Sequence, residues 1–340
     1  MRLLQAMAGA RHGGAEAFFV RLAGALAQAG HEQRVVIRRD VERAAALRRA
    51  GIAPVELPFG GALDLATRWR FRRAVREFRP AIVLTWMNRA TQACPRGDFV
   101  HVARLGGYYD LKYYRRCDHL ISNTRDIVAY LKRQGWPAER AHYLPNFAAR
   151  IDAAPVARST LSTPPDVPLA LALGRLHVNK GFDVLLAALA RAPRLHLWLA
   201  GEGDLRLTLE RQAAALGIAE RVRFLGWRDD IPALLAAADF LVCPSRHEPL
   251  GNVVIEAWAA GLPVIATASE GPRALIVDGK SGLLVPVDDA DALASAMRRL
   301  ADDPELRMGL AAAGRAAHAA EYSEPRVVAL YRDFFARVAR

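Results

Sequence analysis

Apolar residues along this 340-residue chain fall into short blocks separated by glycine and proline, and the blocks alternate between strand-like runs and helical spacing. Arg2 to Met7 is a near-continuous apolar run that predicts a buried strand, followed by a turn from Gly9 to Gly14. Phe18, Leu22, Ala25, Leu26 and Ala29 then recur at helical spacing, so a helix is predicted from Ala15 to Ala29. Glu16 sits in its first turn, where an acid suits the helix dipole, and Gly30 ends it. Strands are predicted at Val35 to Arg38 and Ile82 to Trp86, with a helix between Leu63 and Phe78. Phe99 to Leu105 and His119 to Ser122 predict further strands, and Asp126 to Gln134 a helix ended by Gly135.

Between Ala148 and Pro168 the text turns to Ala, Pro, Ser and Thr, and Pro155, Pro164, Pro165 and Pro168 interrupt any regular element. A domain boundary is placed there. A second alternating series follows, with strands at Leu169 to Leu173, Leu195 to Ala200, Val222 to Leu225, Phe240 to Cys243 and Val264 to Ala266. Helices Phe182 to Ala190, Leu205 to Leu216, Ile231 to Ala238 and Asn252 to Ala260 lie between them, and a last strand runs from Ser281 to Val285. Ala290 to Leu300, Pro304 to Ala319 and Pro325 to Val338 read as amphipathic helices. Strands alternating with helices predict two parallel sheets covered by helices, an α/β architecture of two Rossmann-like domains. The expected domains are residues 1–150 and 168–320, with 321–340 forming a helix that packs back on the first domain.

Composition supports this picture. With 52 % hydrophobic and 24 % charged residues, the chain can bury two cores and is not of the disordered class. No stretch of about 18 apolar residues lacks a charge, and Met1 to Met7 leads into a glycine-rich turn rather than a signal-peptide core, so a cytoplasmic protein is expected. Cys94, Cys117 and Cys243 are odd in number and lack metal-ligand spacing, which speaks against a disulfide framework or zinc site. The net charge of +12 is uneven: residues 1–150 hold 26 Lys/Arg against 12 Asp/Glu, and residues 151–340 hold 21 against 23. The first half therefore calls for an anionic partner or surface. Recognition-helix, zinc-finger and RNA-sheet signatures are absent, so a nucleic-acid-binding protein is the less favoured alternative.

The densest chemistry lies in Glu248-Pro249-Leu250-Gly251-Asn252-Val253-Val254-Ile255-Glu256, two glutamates eight positions apart across a strand-to-helix junction. Amides of Gly251, Asn252 and Val253 at the helix N-terminus suit phosphate or sugar oxygens. Glu256, just over one turn in, suits a ribose diol, and Glu248 suits sugar hydroxyls. In Gly174-Arg175-Leu176-His177-Val178-Asn179-Lys180-Gly181, after a strand and before a helix, Arg175 and Lys180 supply the cations that a departing diphosphate needs. Gly201-Glu202-Gly203 forms a further turn after the next strand. Asp289-Ala290-Asp291 precedes a helix and reads as N-terminal capping rather than a metal site.

Glu248 to Glu256 resembles the E-x7-E motif of retaining glycosyltransferases of family 4, and Arg175 and Lys180 match that family's phosphate-binding pair. The resemblance extends from Gly13-Gly14-Ala15-Glu16 through Gly201-Glu202-Gly203 and Phe224-Leu225-Gly226 to Ala260-Gly261-Leu262-Pro263-Val264. It implies the GT-B fold, two Rossmann-like domains facing each other across a cleft, with the acceptor side in the first and the donor side in the second. It also implies transfer of a sugar from a nucleotide-sugar donor, UDP first, to a glycan or lipid-linked acceptor such as lipopolysaccharide, with retention and no essential metal or cofactor. By the same resemblance Gly13, Gly14, Gly201, Trp227, Arg228 and Leu250 join the donor site, Trp227 and Arg228 near the base. A GT-B-type epimerase or sugar phosphorylase is the nearer alternative.

Two departures stand out. Many relatives read Gly-Phe-Gly where this chain has Pro249-Leu250-Gly251, and many carry a histidine at the end of a first-domain strand, where Val102 to Tyr108 has none. His101 is the candidate substitute. The arginines of Thr67 to Arg79, with Trp69, Lys112, Arg115 and Arg116, form a candidate contact for an anionic membrane surface.

Overall fold

The computed structural model describes residues 1–11, 13–61, 63–149 and 151–339. The chain opens with β1 (Arg2–Met7), α1 (Gly14–Gln28), β2 (Glu32–Arg38), α2 (Val41–Arg49), β3 (Val55–Leu57), α3 (Leu65–Phe78) and β4 (Ile82–Trp86). It continues with α4 (Met87–Ala93), β5 (Val100–Leu105), β6 (His119–Ser122), α5 (Arg125–Arg133) and β7 (Ala141–Tyr143). The next series is β8 (Leu169–Leu173), α6 (Phe182–Ala190), β9 (His196–Ala200), α7 (Arg206–Ala215), β10 (Val222–Gly226), α8 (Ile231–Ala237) and β11 (Phe240–Cys243). Then come α9 (Asn252–Ala260), β12 (Val264–Thr267), α10 (Glu270–Leu275), β13 (Leu283–Val285), α11 (Ala290–Asp302), α12 (Pro304–Ala317) and α13 (Glu324–Val338).

These elements form two compact units. One comprises Met1–Phe147 with Glu324–Arg340, the other Ala148–Ser323. Each is a parallel sheet, seven strands in the order β3-β2-β1-β4-β5-β6-β7 and six in the order β10-β9-β8-β11-β12-β13. The strands show why a parallel sheet forms. β8 reads Leu-Ala-Leu-Ala-Leu and is buried throughout; Leu169, Leu171 and Leu173 enter one core, Ala170 and Ala172 the other. A strand with an apolar side chain on both faces is stable only when helices cover both, which parallel crossovers provide.

The helix edges follow local chemistry. Asp40 caps α2 by accepting from the Arg43 amide, Asp64 caps α3 through Thr67, Thr124 caps α5 through Ile127, and Asp289 caps α11 through Ala292. The last of these agrees with the capping role read from the sequence. Phe71, Ala74, Val75 and Phe78 bury one face of α3 and leave its arginines outside.

Two boundaries differ from the sequence reading. Residues 151–168 are not a free linker: Ile151, Val156 and Leu161 pack against the second unit's core, and Arg158 donates to the Ala237 carbonyl and Asp239. Their apolar spacing is too sparse to advertise this burial. The chain re-enters the first unit at Glu324, where Val327, Tyr331, Phe334 and Phe335 of α13 join the core containing Phe18, Phe19 and Leu22.

Candidate functional site

In an open parallel sheet the loops that follow the strands leave by one edge, and a crevice opens where the strand order reverses direction. In the second unit that point lies between β8 and β11. The loop after β8 is Gly174 to Gly181 and the loop after β11 is Pro244 to Gly251, so the two motifs singled out in the sequence leave adjacent strands at the same edge.

Backbone bonds fasten these loops together. The amides of Arg246 and His247 donate to the Asn179 carbonyl at 2.8 and 3.2 Å. Gly181 has φ 62°, and a Cβ there would lie 2.1 Å from the Pro244 carbonyl oxygen, so only glycine allows this approach. Gly201 and Gly203 serve the next loop in the same way: a Cβ on Gly201 would lie 1.9 Å from the Gly174 oxygen, and one on Gly203 2.5 Å from the Leu176 oxygen. Gly201 also donates to the Gly226 carbonyl at 2.8 Å, which ties the end of β9 to the end of β10.

The Lys180 ammonium pairs with the Glu248 carboxylate across the two loops, and Ser245 Oγ donates to the same carboxylate at 3.3 Å. Their side chains are 25 % and 13 % exposed, so the pair is shielded yet reachable from solvent. Burial by itself lowers the Lys180 pKa, but the Glu248 charge and hydrogen bond outweigh it and leave the group above its ordinary value. Lys180 is therefore a cation at neutral pH.

Arg246 forms a second clamp. Its guanidinium bonds Asp183 at 2.8 and 2.6 Å, Asp288 at 2.6 Å and the Val178 carbonyl at 2.9 Å. It joins α6, the Lys180 loop and the loop after β13. Sequence reading missed it because Asp183 and Asp288 lie far from Arg246 along the chain. Gly271 was missed for a similar reason: a Cβ there would lie 2.4 Å from the Leu250 carbonyl and 2.6 Å from the Glu248 oxygen.

Gly251, at φ 85°, ends the loop and starts α9, and no side chain caps that helix. Asn252 and Val253 form its first turn with Glu256 one turn on, all three half-buried, while Leu250 is buried beneath them. Gly174, which precedes exposed Arg175, donates to the Ala200 carbonyl. Trp227 and Arg228 follow β10, the edge strand on the β9 side. The Trp227 ring is 59 % exposed, and Arg228 forms a two-point pair with Asp230. The second unit thus gathers Arg175, Lys180, Gly201, Trp227, Arg228, Glu248, Leu250, Gly251, Asn252, Val253 and Glu256 along one sheet edge.

Gly13 and Gly14 belong to the first unit, where the strand order reverses between β1 and β4. Glu16 Oε1 accepts from the Ala10 amide at 2.8 Å, and a Cβ on Gly9 or Gly13 would lie 2.3 Å from its carboxylate. The glycines make room for a buried glutamate that braces the turn after β1. After β4, Met87 has φ 59°, a left-handed conformation costly for this residue type and found here at the switch point.

His101 needs correction. It is the second residue of β5, at the sheet edge opposite the Gly9 to Gly14 turn, and is 6 % exposed. Its Nε2 bonds Thr85 Oγ1 at 3.0 Å with Cys117 Sγ at 3.9 Å. Burial, aided by the Arg116 charge, lowers its pKa to about 4. It is a neutral core histidine.

Comparison with known proteins decides the family. Residues 12–148 match the model of Glycosyltransferase Family 4, and residues 156–317 match that of Glycosyl transferases group 1. Two proteins of Rhizobium meliloti (strain 1021), the lipopolysaccharide core biosynthesis glycosyltransferases LpsE and LpsD, are each 37 % identical to this chain. The alignments cover 96 % of this chain and 96 % and 95 % of those proteins. This chain belongs to glycosyltransferase family 4. It is a glycosyltransferase, and the epimerase, phosphorylase and nucleic-acid-binding alternatives receive no support. Solved structures agree in fold. Anabaena Alr3699/HepE, in complex with UDP and glucose, superposes with a TM-score of 0.86 at 21 % identity over 99 % of this chain and 100 % of that one. WaaG, a glycosyltransferase involved in lipopolysaccharide biosynthesis, gives 0.71 at 22 % over 94 % and 95 %. The two Rossmann-like domains are those of the GT-B fold.

Proposed function

We propose that this family 4 enzyme transfers a sugar, with retention of anomeric configuration, from a nucleoside diphosphate carried by the second unit to a glycan or lipid-linked acceptor of the cell envelope. A lipopolysaccharide core is the first acceptor to consider, because both Rhizobium relatives are named for that pathway. UDP is the first carrier to test. The observation that carries the donor assignment is the Lys180–Glu248 pair joining the two loops that flank the β8/β11 switch point, with the Arg175 charge acting on Lys180.

In this reading Arg175 and Lys180 hold the diphosphate and offset the charge that grows on it as the glycosidic bond breaks. Glu248 is both the partner that keeps Lys180 in place and an acceptor for sugar hydroxyls, while Glu256 binds the ribose diol. Leu250, Gly251, Asn252 and Val253 present the N-terminus of α9 to the anionic end of the donor. The leaving phosphate takes the proton from the attacking hydroxyl on the same face, so no protein nucleophile is needed and protein groups act by positioning. Gly201, Trp227 and Arg228 border the base. The reaction is proposed to need no metal.

No helix among the described residues is long and apolar enough to cross a membrane. We place the enzyme in the cytoplasm at an anionic membrane surface, a reading supported by the exposed arginines of α3 beside Trp69, which is 58 % exposed. Calorimetric titration with UDP, GDP, ADP and dTDP, with and without EDTA, tests the donor site. One nucleotide that binds equally in EDTA supports it and names the base; binding by none of the four overturns it.

A further inference from the structure

The first unit carries a second constellation that the donor chemistry does not use. Arg68 and Arg72 of α3, Arg96 in the loop after α4 and Arg116 before β6 line one surface cavity of about 450 Å³, with no carboxylate among its lining residues. Two acids lie nearby: Asp64 lines the adjoining cavity with Arg68, and Asp118 a third cavity with Arg96 and Arg116. Glu77, the acid within α3, accepts from Arg73 and Arg34. Asp64 is committed to the Thr67 side chain and the Gly60 amide, and Asp118 to the His101 amide. Arg116 is held in place by donating to the Gln92 and Cys94 carbonyls at 3.0 and 3.3 Å. Among the described residues none of the four guanidiniums is in an ion pair.

Four like charges around one cavity repel each other, and Arg68 and Arg72 do so one helical turn apart. An oxyanion relieves that repulsion, and guanidinium forks match its geometry in two-point bonds. Position adds the second argument. An adjoining cavity of about 440 Å³ shares Arg68, Gln92 and Ala93 with the first and extends to Asn88, at the start of α4. Asn88 adjoins the strained Met87 where β4 leaves the sheet, at the switch point of the first unit. The groove therefore runs continuously from the arginine cluster to the place where a parallel sheet presents its ligand.

We infer that this groove is a phosphate-binding subsite for the acceptor: a phosphomonoester on the acceptor glycan sits among Arg68, Arg72, Arg96 and Arg116 while the sugar to be extended lies toward Asn88. Four cations call for a dianionic group or several such groups rather than a single carboxylate. This rests on the first unit being the acceptor side.

The test titrates the full chain with glucose 6-phosphate, glucose, glucuronate and UDP at one ionic strength, and measures sedimentation with phosphatidylglycerol vesicles. The proteins are wild type, Arg72→Ala/Arg96→Ala, Gln92→Glu and Lys180→Ala. Gln92→Glu keeps the side-chain shape and adds a carboxylate to the cavity wall. Glucose 6-phosphate is expected to bind more tightly than glucuronate or glucose, to weaken about tenfold or more in both groove variants, and to be unaffected by Lys180→Ala. Unchanged binding in the groove variants, or a loss confined to Lys180→Ala, would overturn the subsite. Equal affinity for glucuronate would overturn the phosphate preference. Loss of vesicle binding in the groove variants without loss of glucose 6-phosphate binding would assign the arginines to a lipid headgroup and overturn the acceptor role. UDP binding reports the donor site separately: its absence in every protein would remove the donor reading and leave the groove result standing.

Discussion

Lys180 and Glu248 stand 68 positions apart in the chain, yet their side chains pair where β8 and β11 release their loops. Each is the other's counter-charge in a shielded position, so neither can be changed without exposing its partner's charge to a poorer environment.

Lys180→Ala is expected to lower the turnover number about 100-fold, the effect of removing one preorganised stabiliser of developing charge. On the proposed donor site, Glu248→Gln should lower turnover and also weaken donor binding, because it removes both the assigned sugar contact and the partner of Lys180. Steady-state kinetics with the donor identified by calorimetry will show this. Wild-type turnover in Lys180→Ala would remove the residue from the mechanism.

Glu256→Ala is expected to weaken nucleoside diphosphate binding about tenfold, the worth of a charge-assisted hydrogen bond to a diol. Trp227→Ala should weaken it less and change the preference among bases. A titration in which Glu256→Ala binds UDP and its 2′-deoxy analogue as wild type does would contradict the diol assignment.

Gly181→Ala tests the loop geometry independently of charge. The new methyl would sit 2.1 Å from the Pro244 oxygen at a φ of 62°, so the two loops must separate. A loss of about 1–2 kcal/mol of stability is expected from the left-handed backbone alone. Donor affinity should fall as well, although no side chain that touches the donor has changed. A variant with unaltered melting temperature and unaltered UDP affinity would show that this approach is not needed.

His101 makes a pH prediction. Its folded pKa of about 4 lies below the unfolded value of 6.5, so as pH falls the unfolded chain takes the proton first. The stabilisation is complete above pH 6.5 and is lost as pH falls from there through 4, by about 3 kcal/mol. His142, also lowered to about 4 by burial and then His119, acts in the same direction and, being half-exposed, acts more weakly. Urea unfolding of His101→Gln between pH 7.5 and 4.5 should show a shallower acid loss than wild type. Turnover near neutral pH should stay within about twofold, which a catalytic role would not allow.

The α/β architecture was legible because a parallel sheet demands apolar runs buried on both faces, and Leu169 to Leu173 or Ile82 to Trp86 cannot be read otherwise. The motif residues Arg175, Lys180, Glu248 and Glu256 were legible too, since loops after strands and a glycine before a helix have local signatures. Weaker elements escaped. α2 buries only Arg43, Ala44 and Leu47, too narrow a stripe to register as a period. His101 looked available in a linear text, but its place at the start of β5 and its bond to Thr85 come from strand register.

What the sequence determined by itself is which segments become strands and helices and which loops carry charge, because those choices depend on neighbours within about one or two turns of chain. What only the tertiary structure decided is which charges meet. Lys180 finds Glu248, Arg246 finds Asp183 and Asp288, and Arg68 and Arg72 share a cavity with Arg96 and Arg116. Such pairings are set by strand order and by backbones that approach only where glycine leaves room, and neither quantity is local to the residues that meet.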